Sequence, residues 1–119
     1  MERARTGRVA EDLVARWLCD RGFVIVGRNV RVGRLELDLV ARRGALLVVC
    51  EVRARRGSLV DPAETFDAAK RERTRRAALQ VWTRHGRGCA LRLDAAAVTF
   101  DAEGAPRLRY YEDVFALET

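Results

Sequence analysis

The most constraining feature of this sequence is a nearly continuous apolar run at residues 45–50, Ala-Leu-Leu-Val-Val-Cys, which is followed directly by Glu51. A short apolar run that follows Gly44 and contains β-branched residues predicts a strand. The run does not alternate between apolar and polar residues, which is typical of a strand buried in a sheet. Such a strand needs covering helices, so the run predicts an α/β protein.

The residues on either side of this strand show the periodicities of two helices and four more strands. The first helix is predicted over residues 7–21, with Thr6 placed to cap it. The second helix is predicted from Asp61 and Pro62 to about residue 84. Strands are predicted at residues 23–30, 34–42, 45–55, 90–100 and 107–111, and a last helical turn at 112–117. The order α-β-β-β-α-β-β-α predicts one domain over residues 1–119, with a mixed β-sheet flanked by helices.

The second and third predicted strands each carry an acidic residue of interest. Strict alternation in the strand at residues 34–42 places four apolar side chains on one face, namely Leu35, Leu37, Leu39 and Ala41. The opposite face then carries Glu36, Asp38 and Val40. A tight turn at Arg43 and Gly44 predicts that Asp38 pairs with Val49. The same register pairs Glu36 with Glu51. Asp38 then lies one diagonal step from Glu51, within about 7–8 Å, so the two carboxylates can bind one cation.

Glu51 is unusual because it directly follows an apolar strand. An ionised carboxylate is costly to bury, and a nearby Asp38 adds repulsion between like charges. A bound divalent cation would relieve both costs. The alternative is that Glu51 forms a salt bridge with Arg53 or Arg55 at a strand end that water reaches. The pattern leaves both alternatives open.

Two further side chains lie beside the faces of the helices that are predicted to be buried. Glu11 lies next to the apolar stripe of the first helix and can extend toward the same point over the sheet edge. Lys70 is the only lysine, and it occupies the stripe of the second helix that should meet the sheet. That stripe also contains Phe66, Thr74, Ala77 and Val81. The alternatives are a solvated glutamate and a lysine whose ammonium group extends into water.

Composition restricts the metal and indicates a class of partner. One histidine and three widely separated cysteines give no spacing for a zinc site, so an ion on carboxylates is expected to be Mg²⁺ or Mn²⁺. The formal net charge of +6 suits a polyanionic partner such as DNA. No apolar stretch is long enough to span a membrane, and the N-terminal residues lack a secretory signal, so a soluble cytoplasmic protein is expected.

Two motifs and several shorter segments carry a family resemblance. Residues 35–40 are LELDLV and resemble a family pattern G-E-I-D-L-I, while residues 49–55 are VCEVRAR and resemble F-V-E-V-(K/R)-x-R. The chain departs from the first pattern at Leu35, where glycine is usual. Shorter matches occur at residues 7–11, 28–29, 66–70, 93–94 and 112–115. In order and spacing these segments resemble the YraN-type family of small bacterial proteins with a restriction-endonuclease-like fold.

That family is similar to Holliday-junction resolvases and other nucleases with a D…(D/E)-x-K signature. The resemblance implies that Asp38 and Glu51 are metal ligands, with the Val52 carbonyl and Glu11 as further ligands. It places Arg53 at the signature lysine position. Catalytic roles are expected for Asp38, Glu51, Arg53 and Lys70, and nucleic-acid contacts for Arg53, Arg55, Arg56, Lys70 and Arg71.

Three functions remain open on the sequence. The first is a Mg²⁺- or Mn²⁺-dependent deoxyribonuclease that acts on branched or otherwise structured DNA. The second is a nucleic-acid-binding module on a nuclease fold without catalysis. The third is a protein-interaction domain whose positive charge is incidental. A resolvase-like role predicts a symmetric homodimer, because cleavage of two strands needs two active sites.

Overall fold

The computed structural model describes the backbone of residues 2–56, 68–86 and 88–114, and the side chains of residues 7–55, 69–86 and 88–114. Two helices and five strands occupy these ranges. They are α1 (Glu2–Asp20), β1 (Val24–Val32), β2 (Leu35–Arg43), β3 (Leu46–Arg56), α2 (Ala68–His85), β4 (Ala90–Phe100) and β5 (Pro106–Tyr111). The predicted order α-β-β-β-α-β-β is therefore confirmed through β5.

The five strands form one mixed sheet in the order β1-β2-β3-β4-β5. The first three strands pair antiparallel, the crossover that contains α2 makes β4 parallel to β3, and β5 returns antiparallel to β4. Val14 of α1 packs in one core cluster with Val48, and Ala78 of α2 packs in a second cluster with Val49. Neighbouring residues of β3 thus face different helices, and residues 47–50 of the apolar run are buried on both faces as predicted. None of the helices that the structure describes is long and apolar enough to cross a membrane.

The β2–β3 hairpin turn lies one residue later than predicted. Arg43 pairs with Leu46, so Gly44 and Ala45 form the two-residue turn instead of Arg43 and Gly44. Gly44 has a φ of 58°, which a glycine adopts readily. A glycine at the first of the two central positions is typical of a type II′ hairpin turn. The first central position of this turn requires a positive φ, and Gly44 meets that requirement when it occupies this position rather than the second one.

The turn changes the pairing of the acidic residues. Val49 pairs with Val40 rather than with Asp38, so the predicted register is wrong by two residues. The predicted pairing of Glu36 with Glu51 is also wrong, because the β2–β3 pairing ends at Leu39 and Cys50 and includes neither glutamate. A shift of two residues does not by itself move any side chain to the other face. It therefore alters which acids are neighbours without exchanging the two faces of the strand.

The predicted alternation of β2 is interrupted near its middle. Leu37 packs with Val40 in the cluster beneath α2, whereas Leu39 packs in the cluster beneath α1. The prediction that Leu37 and Leu39 share a face is therefore wrong. The change occurs around Asp38, which lies with Asn29 between two regular pairs of the β1–β2 ladder. Asn29 has a φ of 51°, a left-handed conformation that asparagine tolerates and that interrupts the regular pleat.

The chain ends differ from the predictions or lie outside the description. Helix α1 begins at Glu2, so Thr6 lies inside the helix and does not cap it. Residues 2–6 include glutamate, arginine and alanine, which favour a helix, and no glycine or proline that would stop one. The predicted cap at Asp61 and Pro62, and Phe66, lie outside the described residues. Residues 112–114 form a turn, and the rest of the predicted last helical turn lies outside the described residues.

Candidate metal and nucleic-acid site

The candidate site lies where β2 and β3 separate. Their pairing ends at Leu39 and Cys50, so the next residues toward that end of the two strands are Asp38 and Glu51. The backbone amide of Val52 donates a hydrogen bond of 2.8 Å to Oδ2 of Asp38. The Asp38 carboxylate thus takes the place of a backbone acceptor on β2. The separation of the strands brings the two predicted acids together, by direct adjacency instead of the predicted diagonal step.

Glu51 is buried in an environment that does not satisfy its charge. Its exposed fraction is only 3%, which excludes the alternative of a strand end that water reaches. Among the residues that the structure describes, none donates a hydrogen bond to Oε1 of Glu51. Burial and the negative charge of Asp38 raise the pKa of Glu51 to about 7, and a hydrogen bond between the two carboxyl groups adds to this. Burial also raises the pKa of Asp38, while the hydrogen bond from Val52 lowers it.

Two basic side chains act on this acidic pair. Arg53 lies two residues beyond Glu51 on β3 and therefore on the same face of the strand. Lys70 lies near the start of the described part of α2, and both side chains are half-buried. The positive charges of Arg53 and Lys70 lower the pKa values of Asp38 and Glu51, against the effect of burial. The structure thus brings together four of the predicted site residues.

The buried face of α2 agrees with the stripe that contains Lys70. Thr74, Ala77 and Val81 are all buried, and Ala77 and Val81 pack on the β2–β3 side of the sheet. Lys70 follows the same helical spacing one turn before Thr74. The half-buried lysine is consequently positioned by the helix face that packs on the sheet.

Glu11 approaches the site from the other helix. It lies half-buried on α1, and Nδ2 of Asn29 donates a hydrogen bond of 3.4 Å to its Oε1. Burial raises the pKa of Glu11, and the negative charge of Asp38 raises it further. Within the described ranges, however, no three histidine, cysteine, aspartate or glutamate side chains gather closely enough to hold a metal ion. Glu11 thus influences the acidic pair electrostatically and is held by Asn29.

The donor set fits a hard divalent cation better than zinc. Asp38 and Glu51 offer carboxylate oxygens, including Oε1 of Glu51, which accepts no hydrogen bond from the described part of the chain. The Val52 amide points toward β2, and the carbonyl of the same residue extends from the same edge of an extended strand. Mg²⁺ commonly binds one or two carboxylates and keeps several waters, so two carboxylates and one carbonyl are a sufficient protein contribution. Glu51, Asp38 and Val52 are therefore the residues that would hold the ion.

The remaining predicted nucleic-acid contacts are dispersed. Arg55 is exposed and follows Arg53 on the same face of β3, and Arg71 is exposed on α2. Arg56 ends β3, and its side chain lies outside the described residues. The structure places Arg55 next to the site along the strand, whereas Arg71 is the sequence neighbour of Lys70 on an adjacent face of the helix.

A second buried acid was given no role in the sequence predictions. Asp94 of β4 is completely buried, and Arg92 donates two hydrogen bonds of 2.9 Å to its two oxygens. Its carboxylate also accepts hydrogen bonds from the Tyr110 hydroxyl and from the Asp113 amide. Asp94 pairs with Cys50, the residue before Glu51. The available signal was the same one that identified Glu51, a single acid within an apolar strand.

Comparison with protein families shows to which family the chain belongs. The model of the uncharacterised protein family UPF0102 matches residues 10–98. The chain belongs to this family. This membership confirms the resemblance to YraN-type proteins, and the UPF0102 match includes both the Asp38 and the Glu51 segments.

Individual UPF0102 proteins are similar over almost the whole chain. A UPF0102 protein of Sorangium cellulosum is 42% identical over 118 residues, which cover 95% of this chain and 82% of the relative. One of Anaeromyxobacter dehalogenans is 43% identical over 116 residues, with 95% and 85% covered. Among solved structures, Pyrococcus furiosus SfsA in complex with Ca²⁺ aligns at 14% identity and a TM-score of 0.46. That alignment covers 92% of this UPF0102 chain and 63% of the length of the other protein.

Proposed function

We propose that this protein is a Mg²⁺- or Mn²⁺-dependent endonuclease that hydrolyses phosphodiester bonds in branched or otherwise structured DNA. The observation that supports this most directly is the buried oxygen of Glu51 beside Asp38, to which none of the described residues donates a hydrogen bond. A cation there offsets both the burial of charge and the repulsion between the acids. The basic side chains beside the acids offer contacts for a phosphate.

The carboxylates and the basic residues have separate tasks in this proposal. A bound Mg²⁺ or Mn²⁺ ion supplies an activated water and offsets charge on the leaving oxygen. Asp38 and Glu51 hold that ion, and Asp38 is itself fixed by the Val52 amide. Arg53 and Arg55 bind the phosphate that faces the site, because the planar guanidinium group matches phosphate oxygens. Arg56 and Arg71 extend these contacts along the DNA backbone.

Proton transfer needs a group other than Arg53. Arginine stays protonated in proteins, so Arg53 cannot accept a proton from water. It can still stabilise negative charge that develops on the phosphate. Lys70 can take the role of the signature lysine, because the charge of its amine acts on both Asp38 and Glu51. The proposal therefore assigns phosphate binding to Arg53 and orientation of the water to Lys70.

Cleavage assays with a matched substitution test the proposal. Wild-type protein and Asp38→Asn are incubated with four-way junctions, flaps and plain duplex, with Mg²⁺, with Mn²⁺ or with EDTA. Wild type should cleave only with metal, and Asp38→Asn should lose at least about a hundredfold in rate, in the range expected when an electrostatic catalytic group is lost. Asp20→Asn, an exposed change on α1, is the control and should cleave normally. Equal cleavage by wild type and Asp38→Asn would exclude this assignment.

A binding module without catalysis is the competing function, and Arg53 at the signature lysine position favours it. Such a module binds DNA in a salt-dependent way without metal and leaves the DNA intact. Calorimetry with Mn²⁺ separates the two functions. The nuclease should release or absorb heat when it binds Mn²⁺, and this heat should be absent in Asp38→Asn, whereas the binding module requires no Mn²⁺ binding.

A nuclease that cuts two strands would also be a homodimer, which sedimentation equilibrium measures directly.

A further inference from the structure

A groove separate from the acidic pair lies between the C-terminal half of α2 and the β1–β2 hairpin. It consists of two adjoining cavities with volumes of about 310 and 230 Å³. Val30, Val81 and His85 line both cavities, so the two form one continuous depression. The larger volume lies near the lower limit of about 300 Å³ for small-molecule sites. Each cavity is therefore large enough for one planar ring.

The floor and the rim of the groove differ in chemistry. The floor is mainly aliphatic, and it includes Val26, which is 55% exposed on β1. The rim carries exposed basic side chains from three elements, and Nε of one of them, Arg42, donates a hydrogen bond of 3.0 Å to the Gly44 carbonyl. The basic rim residues are Arg31, Arg42, Arg84 and His85. Among the described residues that line the two cavities, none is an aspartate or a glutamate.

The floor stays open because Gly27 has no side chain. A Cβ atom at this position would lie 2.7 Å from Cγ2 of Val30, closer than packed carbon atoms approach. The β1–β2 ladder also shifts its register between Ile25 and Gly27, and this places Val26 at the irregular position. The groove is thus formed by a bulge in an edge strand, a feature that often redirects side chains at binding sites.

We infer that this groove binds one unpaired nucleotide of a nucleic-acid strand, with the base on the valines and the adjacent phosphates on Arg31 and Arg84. An aliphatic floor can remove the face of any base from water, and a rim with positive charge alone complements phosphates. A nonpolar peptide would not require that rim. The inference rests on the proposed action on nucleic acid and adds a substrate class, namely DNA with unpaired bases.

The groove and the acidic pair lie on the face of the sheet that α2 covers. Lys70 and His85 are 15 residues apart on α2, which is about 22 Å along the helix axis. An unpaired nucleotide in the groove therefore binds far from the scissile phosphate. A fully paired duplex or four-way junction could engage the acidic site alone, so the groove favours flaps and other branches that carry unpaired bases.

Anisotropy with two labelled oligonucleotides tests the role of the base. An oligothymidylate and an abasic strand of equal length carry the same phosphates but differ in bases. The measurements use the Asp38→Asn protein in EDTA, so binding is independent of cleavage. The oligothymidylate should bind about tenfold more tightly than the abasic strand, within the range for one nucleobase contact. Equal affinities would overturn the inference, because only phosphates would then be recognised.

Two exposed valines on the same strand provide a matched pair of variants. Val26→Glu introduces a carboxylate into the groove and should abolish the preference for the oligothymidylate. Val24→Glu is the control, since Val24 is 65% exposed and is not among the residues that line the groove. Arg84→Ala should weaken both strands and reduce the salt-dependence slope by about 0.7 per lost phosphate contact. Arg16→Ala, on exposed α1 surface, should leave both affinities unchanged. Identical behaviour of Val26→Glu and Val24→Glu would contradict the assigned groove.

Competitors distinguish the occupant. Polyglutamate of equal charge should not displace the oligothymidylate, and thymidine monophosphate should do so only at much higher nucleotide concentration. Displacement by either at an equal concentration would overturn the assignment to a strand. If groove variants lose the base preference while wild type never cleaves DNA, the proposed nuclease activity fails and the groove stands. If wild type cleaves and the groove variants behave like wild type, the groove inference fails alone.

Discussion

Glu51 is buried beside another acid, and this makes the stability of the metal-free protein depend on pH. Its pKa of about 7 in the folded state lies above the ordinary value of 4.5, so the folded state holds the proton more tightly than the unfolded state. The stabilisation is fully present below pH 4.5 and is lost as pH rises through about 7. In EDTA at pH 8, Glu51→Gln should therefore raise the free energy of unfolding by about 1–3 kcal/mol.

Urea denaturation at several pH values measures this effect. The variant should lose most of the decline in stability between pH 5 and 8 that wild type shows. Glu103→Gln, in an exposed turn, should keep the wild-type decline. A wild-type protein whose stability does not change across this interval would show that Glu51 is not strained by its surroundings.

Arg53 limits the rate of the proposed reaction because it cannot accept a proton. Lysine at the same position supplies an amine that can lose its proton, so Arg53→Lys should cleave junction DNA about tenfold faster at pH 8, well within the range for general base catalysis. Arg16→Lys changes an exposed residue of α1 that has no role in the proposed reaction, and it should leave the rate within about twofold of wild type. Initial rates with Mg²⁺ measure both variants. A slower Arg53→Lys enzyme would instead indicate that the guanidinium geometry is required.

The sequence indicates single acidic residues within apolar strands, but it does not indicate the groups that form hydrogen bonds with them. Glu51 stood out because it follows six apolar residues, and Asp38 followed from the neighbouring strand. Asp94 stands in the same kind of context, yet its donors come from Tyr110 and from Asp113 beyond β5. Contacts between segments distant in sequence depend on how the sheet folds, and local patterns do not contain that information.

At the scale of elements, the strands were predictable and the register was not. Alternation, apolar runs and glycines located all five strands to within one or two residues. The β2–β3 register depended on whether Gly44 holds the first or second central position of the turn, which decides where positive φ is needed. The change of face at Asp38 depended on the left-handed conformation of Asn29, which no periodicity indicates.

The hydrogen bonds of Asp94 join β4 to β5 and to the turn after β5, and their loss should destabilise the folded protein. Asp94→Asn removes the charge that Arg92 neutralises and leaves at least one buried donor poorly paired. The free energy of unfolding should fall by about 3 kcal/mol, as for other broken buried ion pairs. Urea denaturation measures this, with Asp20→Asn as a surface control that should change stability by less than about 0.5 kcal/mol. A loss no larger than that of the control would mean that the network is not energetically coupled to folding.

At the scale of the whole molecule, the periodicities along the chain predicted the order of the elements. The apolar run of β3 indicated in addition that this strand is covered on both faces. The crossover that contains α2 makes β4 parallel to β3, and β4 pairs with β3 along its whole length. On the other side of β3, β2 pairs only from Leu39 to Arg43, and the residues of β2 before Leu39 do not pair with β3. An edge of β3 is therefore open beside Asp38, which is where the acids meet. The site is a consequence of this topology, and the sequence revealed its residues more readily than their exact placement.

Metal binding should connect the site to the stability of the entire protein. An ion that binds only the folded state adds about 2.7 kcal/mol to the free energy of unfolding when its concentration is 100 times its Kd. Wild type should gain this with Mn²⁺, whereas Asp38→Asn should gain little. Glu51→Gln is the informative case, because it should be more stable than wild type in EDTA and should also gain little from Mn²⁺. A buried acid with a purely structural role would give no Mn²⁺ effect in any of the three proteins, so denaturation with and without the ion separates a metal site from a strained acidic pair.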